Sequence, residues 1–201
     1  MDKNCPHCIR SSFAFKYPLY EDSNFVIVCD VHPLTEGHIL IIPKGHITCA
    51  GAFSDQLFKE FNDLFLKTSK FIKMTYGSVA AFEHGVIGQT VFHSHIHLLP
   101  FKGKIEDIVP EGKKYVDPIK QTEDLKKLYK KNGDYLFFSL DINKFVVDTG
   151  LGKPRFFRDR FANALGSPER GNWKEMDKNI VLAAETEKEM NQLILKWNNF
   201  F

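Results

Sequence analysis

Apolar and polar positions follow two rhythms along this chain, and each change of rhythm marks an element. Residues 25 to 29 (Phe-Val-Ile-Val-Cys) and 38 to 43 (His-Ile-Leu-Ile-Ile-Pro) are short apolar runs separated by a turn-rich stretch with Pro33 and Gly37, which predicts two antiparallel strands. From Ser54 the spacing lengthens. Leu57, Phe58, Phe61, Leu64, Phe65, Phe71 and Ile72 recur at three- and four-residue intervals, the stripe of a helix capped by Ser54, reaching about Thr75 and stopped by Gly77. Such a stripe is core, and it covers the sheet. Two more strands are predicted over 78–83 and 91–99, joined by a loop holding Gly85, Gly88, Gln89 and Thr90. Lys102 to Lys131 reads as exposed, charged connection with a short helix around Leu125, Leu128 and Tyr129. Residues 135–140 and 145–149 flank Asp141-Ile142-Asn143-Lys144 as a hairpin, Pro154–Leu165 reads as a helix ended by Gly166, and a last helix spans about 179–197. The fold expected is α+β: an antiparallel sheet of about five strands with a covering helix, plus a C-terminal hairpin and helices that extend or cap it. Residues 1–105 form the core, and 106–201 form an extension packed on the same domain.

Composition narrows the partners. The 27 Lys and Arg nearly balance the 25 Asp and Glu, so charge alone points to neither nucleic acid nor a membrane surface. No apolar run is long enough to span a bilayer, and Met1-Asp2-Lys3-Asn4 lacks the pattern of a signal peptide, so the expected location is the cytoplasm. Four cysteines, only two of them close together, make no disulfide framework, and Cys29 and Cys49 read as buried thiols.

The chemistry concentrates at two places. In Gly88-Gln89-Thr90-Val91-Phe92-His93-Ser94-His95-Ile96-His97-Leu98-Leu99-Pro100, three histidines stand two residues apart. On a strand they share one face, with neighbours about 6.6 Å apart and the outer pair about 13 Å apart, too far for one metal ion to bind all three. Mixed roles follow, and imidazole suits them because it titrates near neutral pH. At the other place, Cys5-Pro6-His7-Cys8 offers two thiolates at the spacing of half a zinc shell, with His46 and His93 as candidates to complete it. A thiol-disulfide oxidoreductase motif and unliganded surface thiols are the alternatives. The redox motif follows a strand and opens a helix, and only four residues precede Cys5.

The chain resembles the histidine triad superfamily of nucleotide hydrolases and transferases. The family pattern His-φ-His-φ-His-φ-φ, with φ apolar, stands here as His93-Ser94-His95-Ile96-His97-Leu98-Leu99, with Asp30, Gly37-His38 and Ile42-Pro43-Lys44-Gly45-His46 upstream. The likeness covers about residues 5–101, and the Pro154–Arg158 stretch only faintly resembles longer members. Ser94 departs from the apolar rule, and Phe82 stands where many members carry Asn. The resemblance implies that His95 attacks an α-phosphorus and forms a nucleotidyl-imidazole intermediate that water releases. His97 and His38 would position the nucleophile or protonate the leaving group. Asp30 would accept ribose hydroxyls beside Val28 and Val31, and Gln89 and Thr90 would bond phosphate oxygens. In the zinc-bearing branch, Cys5, Cys8, His46 and His93 match the ligands of a structural zinc. A nucleotide conjugate as substrate and a homodimer are implied as well. A non-catalytic nucleotide- or partner-binding module is the rival reading. Arg155, Arg158 and Arg160 fall within reach of a polyphosphate, but the expectation for them is solvated helix surface.

Overall fold

The computed structural model describes residues 3–201, so Met1 and Asp2 of the opening segment lie outside the description. Its strands are β1 (Pro18–Glu21), β2 (Phe25–Cys29), β3 (Ile39–Pro43), β4 (Ala80–Gly85), β5 (Ile96–Leu99), β6 (Val116–Ile119), β7 (Tyr135–Leu140) and β8 (Asn143–Val147). The helices are α1 (Asp55–Tyr76), α2 (Ile105–Ile108), α3 (Asp124–Asn132), α4 (Phe156–Ala164), α5 (Trp173–Met176) and α6 (Ile180–Phe200). The fold is α+β, with all eight strands in one antiparallel sheet ordered β1-β2-β3-β5-β4-β7-β8-β6.

Strands β1 to β5 make the five-stranded part, and the hairpin β7–β8 extends the same sheet through β4. Both faces are covered, so β2, β3, β4 and β5 are buried throughout; β2 and β3 read in sequence as unbroken apolar runs, whereas β4 carries Glu83 and His84 and β5 carries His97. Phe25, Ile27, Ile39, Ile41, Ile96 and Leu98 face α1 and α6, where Phe61, Phe71 and Trp197 fill the core. Phe82, Leu99, Leu136 and Phe138 face the other way and pack on Phe157 and Phe161 of α4. Because neighbours along a strand alternate, His97 turns to the α4 side while Ile96 and Leu98 turn to α1.

Helix α1 starts where its cap predicts, with the Leu57 N–H donating to Ser54 Oγ and Gly77 closing it at φ 88°. Two expectations need correction. Lys102–Lys131 is not merely exposed connection: Ile108, Val109, Val116 and Leu125 are buried, and Val116-Asp117-Pro118-Ile119 forms edge strand β6 against β8. Its proline and charge concealed it, although an edge strand tolerates both. The strand predicted over 91–99 begins only at Ile96. Ahead of it, the Ser94 N–H donates to Ile47 O at 2.6 Å and the His93 N–H to Val91 O at 2.9 Å, bonds that bend residues 91–95 out of the sheet.

Candidate active site and metal centre

The bend at 91–95 divides the three histidines. His93 swings to the N-terminal knuckle, where its Nδ1 lies 3.5 Å from Cys5 Sγ and 3.5 Å from Cys8 Sγ, and His46 Nδ1 lies 3.3 Å from Cys8 Sγ. Tetrahedral zinc with sulfur at ~2.3 Å and nitrogen at ~2.0 Å separates S and N by about 3.5 Å, so the four side chains fit that ion. Their ligand atoms all lie within 4.8 Å of one another. The His93 Nε2–H donates to Pro43 O at 2.8 Å, which leaves Nδ1 free to ligate. The Cys8 N–H closes a turn on Cys5 O at 3.0 Å, and residues 3–12 form turns with neither the strand nor the helix of a redox motif.

His95 stays partly exposed, and its Nδ1 lies 2.6 Å from the His93 carbonyl oxygen. Burial lowers its pKa, opposed by that backbone bond. His97 lies one turn of the pleat further on, its ring 5.1 Å from that of His95, and is buried. Its Nδ1 is 2.9 Å from His38 Nε2, while His38 Nδ1 accepts the Leu34 N–H at 3.0 Å. A backbone N–H can only donate, so His38 carries its proton on Nε2 and gives it to His97 Nδ1. The proton of neutral His97 therefore sits on Nε2. Gly37, next to His38, stands where only glycine fits. At φ 89°, a Cβ there would stand 2.7 Å from Pro100 Cγ. Phe82 lies directly opposite His97 in the β4–β5 register and stacks on its ring at 4.2 Å and 14°, an apolar wall beside the histidine.

Asp30 is buried at the end of β2. Its Oδ1 accepts the His32 N–H at 2.9 Å, and its Oδ2 accepts Arg158 from α4 at 2.7 Å. Burial pushes its carboxyl up, but Arg158, then His38 and His97, hold it well below the usual carboxylate range. Arg158 corrects the expectation of solvated surface: its side chain is 9% exposed. The signal was present, since Arg158 lies three and four residues before the buried Phe161 and Ala162 and so shares their helix face. Arg160 is also largely covered, bonding Ile108 O and Glu111, whereas Arg155 pairs with Asp159 nearer the surface.

A cavity of about 320 Å³ opens over these groups. His95, His97, Asp30 and Thr90 line it, joined by residues without a role in the sequence reading: His7 and Phe13 from the N-terminal segment, His32 after β2, and Trp173 and Asp177 from the extension. His7 stands edge-on to His95 at 4.9 Å and to His93 at 5.6 Å, linking the cluster of Cys5, Cys8, His46 and His93 to the cavity. Burial, with His95 and His93 nearby, lowers its pKa to about 2. The His32 Nε2–H donates to Asp177 at 2.7 Å. Gln89 does not reach the lining, because its amide donates to Thr48 O at 2.6 Å.

A family model described as the HIT domain matches residues 16–104. Protein hit of Bacillus subtilis is 32% identical over 131 residues, covering 63% of this chain and 90% of that protein. This chain belongs to the HIT family. Another HIT relative, adenylylsulfatase HINT3 of Arabidopsis thaliana, is 32% identical over 88 residues, 42% of this chain and 45% of that protein. A solved structure described as a HIT family hydrolase from Clostridium thermocellum is 29% identical with a TM-score of 0.42, covering 52% of this chain and 99% of that one. The HIT domain match ends at residue 104, so Arg158, Trp173 and Asp177 reach the cavity from outside it. Among the described residues, no helix is long and apolar enough to cross a membrane.

Proposed function

We propose that the protein is a nucleotide hydrolase or transferase that cleaves at an α-phosphorus through a nucleotidyl-imidazole on His95. One observation carries this reading: the 2.6 Å contact between His95 Nδ1 and the His93 carbonyl. A carbonyl only accepts, so the proton stays on Nδ1 and Nε2 keeps a lone pair beside the cavity. The lowered pKa of His95 keeps that lone pair available at neutral pH.

Nε2 attacks phosphorus, and the bond from phosphorus to the leaving oxygen or nitrogen breaks, its electron pair departing with that group. His97 borders the same cavity with its proton on Nε2, so it donates a hydrogen bond to the departing atom, which takes its proton from solvent water, while His38, wholly buried behind it, fixes the tautomer. Water then cleaves the P–N bond, and in a transferase an acceptor hydroxyl or phosphate takes its place. Thr90 bonds phosphate oxygens, Asp30 stands on the ribose side, and Gln89 braces the loop beneath Thr90.

Cys5, Cys8, His46 and His93 would hold a zinc ion, which when bound ties the knuckle to the segment before β5 and has no open position for substrate. The substrate is a nucleotide conjugate: a dinucleoside polyphosphate, a nucleoside phosphoramidate or an adenylylated compound. The adenylylsulfatase relative supports that class. A homodimer working in the cytoplasm completes the reading.

The test is to incubate the protein with adenosine phosphoramidate and diadenosine polyphosphates, quench, and measure intact mass. An AMP adduct is expected, and His95→Ala should abolish it and lower turnover by roughly 10³-fold or more. Equal turnover by both proteins overturns the reading. Binding without turnover would instead indicate a non-catalytic module, and disulfide reduction requiring Cys5 a redox enzyme.

A further inference from the structure

The proposed chemistry needs neutral imidazoles, yet the fold sets two of them beside a buried carboxylate. Asp30 Oδ2 lies 3.5 Å from His38 Nδ1 and 3.6 Å from His97 Nδ1. A carboxylate that close, left uncompensated, draws a proton onto an imidazole. A proton on His97 Nδ1 would confront the Nε2–H of His38 and break their 2.9 Å bond. A proton on His38 Nδ1 would confront the Leu34 N–H. Either event dismantles the tautomer chain.

The compensating charge comes from the extension. Arg158 Nη1 donates to that same Oδ2 at 2.7 Å, and its Nη2 donates to His32 O at 2.6 Å and Arg170 O at 3.3 Å. Helix α4 is held over the site independently of this pair: the Phe157 N–H donates to His84 Nε2 at 3.1 Å, and Phe161 stacks on Phe82 at 5.1 Å. With the two side chains 9% and 6% exposed, water screens the charges little. The charged and titratable groups facing the pair are Asp30 from the loop after β2, His95 ahead of β5 and Arg158 from α4. Phe82 and Phe161 contribute only rings. Burial lowers His38 to about 4, with Asp30 opposing and Arg158 reinforcing.

We propose that Arg158 is a positioning residue: by holding Asp30 it keeps His38 and His97 neutral, in the tautomers that present His97 Nε2–H to the cavity. The catalytic consequence rests on the histidine chemistry proposed above, but the charge balance can be read without turnover. The experiment is an ¹⁵N-histidine NMR titration of the metal-loaded protein as wild type, Arg158→Gln, Arg158→Lys and the double variant Asp30→Asn/Arg158→Gln. In R158Q, His38 or His97 should take up a proton at least about one pH unit higher than in wild type. R158K keeps the charge but loses the planar fork, and the double variant removes both charges, so both should titrate like wild type.

If wild type turns over adenosine phosphoramidate, the acid limb of kcat/KM should move upward in R158Q and stay in place in R158K. The proposal is overturned if R158Q titrates at the wild-type pH or if R158K matches R158Q, either of which marks the guanidinium as packing alone. Should R158Q fail to fold, R158K and the double variant carry the test, and a departure of either from the wild-type titration overturns it. Absence of turnover in wild type would sink the histidine chemistry and leave the NMR comparison intact.

Discussion

Glu83 is a carboxylate buried under the site, and its removal gives a measurable pH signature. It is 1% exposed on β4, and it accepts the Ala50 N–H at 2.9 Å, Ser94 Oγ–H at 2.8 Å and Tyr135 O–H at 2.5 Å. Tyr135 Oη in turn accepts the Gly51 N–H at 3.0 Å, so one side chain ties together β4, β7, the segment around residue 50 and the serine between His93 and His95. Burial raises its pKa from 4.5 to about 7, against the pull of those three donors. A raised pKa means that the native state holds this proton more tightly than the unfolded chain does. The stabilisation is therefore complete below pH 4.5 and is lost as pH climbs to 7. At about 1.4 kcal/mol per pH unit, that interval corresponds to about 3 kcal/mol. Glu83→Gln keeps the shape and removes the titration. Urea unfolding of both proteins at several pH values isolates the effect, because every other titrating group cancels in the difference. Wild type should lose about 3 kcal/mol relative to E83Q between pH 4.5 and 7. A difference that stays flat across that range refutes the reasoning.

Metal analysis of the purified protein should find about one equivalent of zinc, and Cys8→Ala should lose it. With metal at a thousand times its Kd adding about 4 kcal/mol, chelation should lower Tm by about 8 °C or more in a calorimetric scan. Phe161→Ala removes a fully buried ring stacked on Phe82 and edge-on to Phe101 at 5.1 Å. It should cost 3–5 kcal/mol in denaturant unfolding. A loss below about 1 kcal/mol would mean that α4 is not essential packing for the site.

The linear sequence specified what depends on neighbours a few residues apart. The Ser54-to-Gly77 helix, the apolar runs of β2 and β3, the largely apolar β7 and a hairpin turning after it each follow from local spacing and caps, although β8 begins at Asn143, inside the four residues expected as the turn. The CxxC pair and the alternating histidines were legible for the same reason. Tertiary structure decided how the histidines divide. A strand of perfect alternation would set His93, His95 and His97 in a row, but the bond of Ser94 to Ile47 bends the chain, sending His93 to the cysteines and leaving His95 beside the cavity. It also decided the charge of the site. Arg158 is 128 residues from Asp30, and no periodicity pairs positions so far apart. Their meeting depends on β7 extending the sheet from β4 and on α4 folding back over Phe82, an outcome of packing across the whole core.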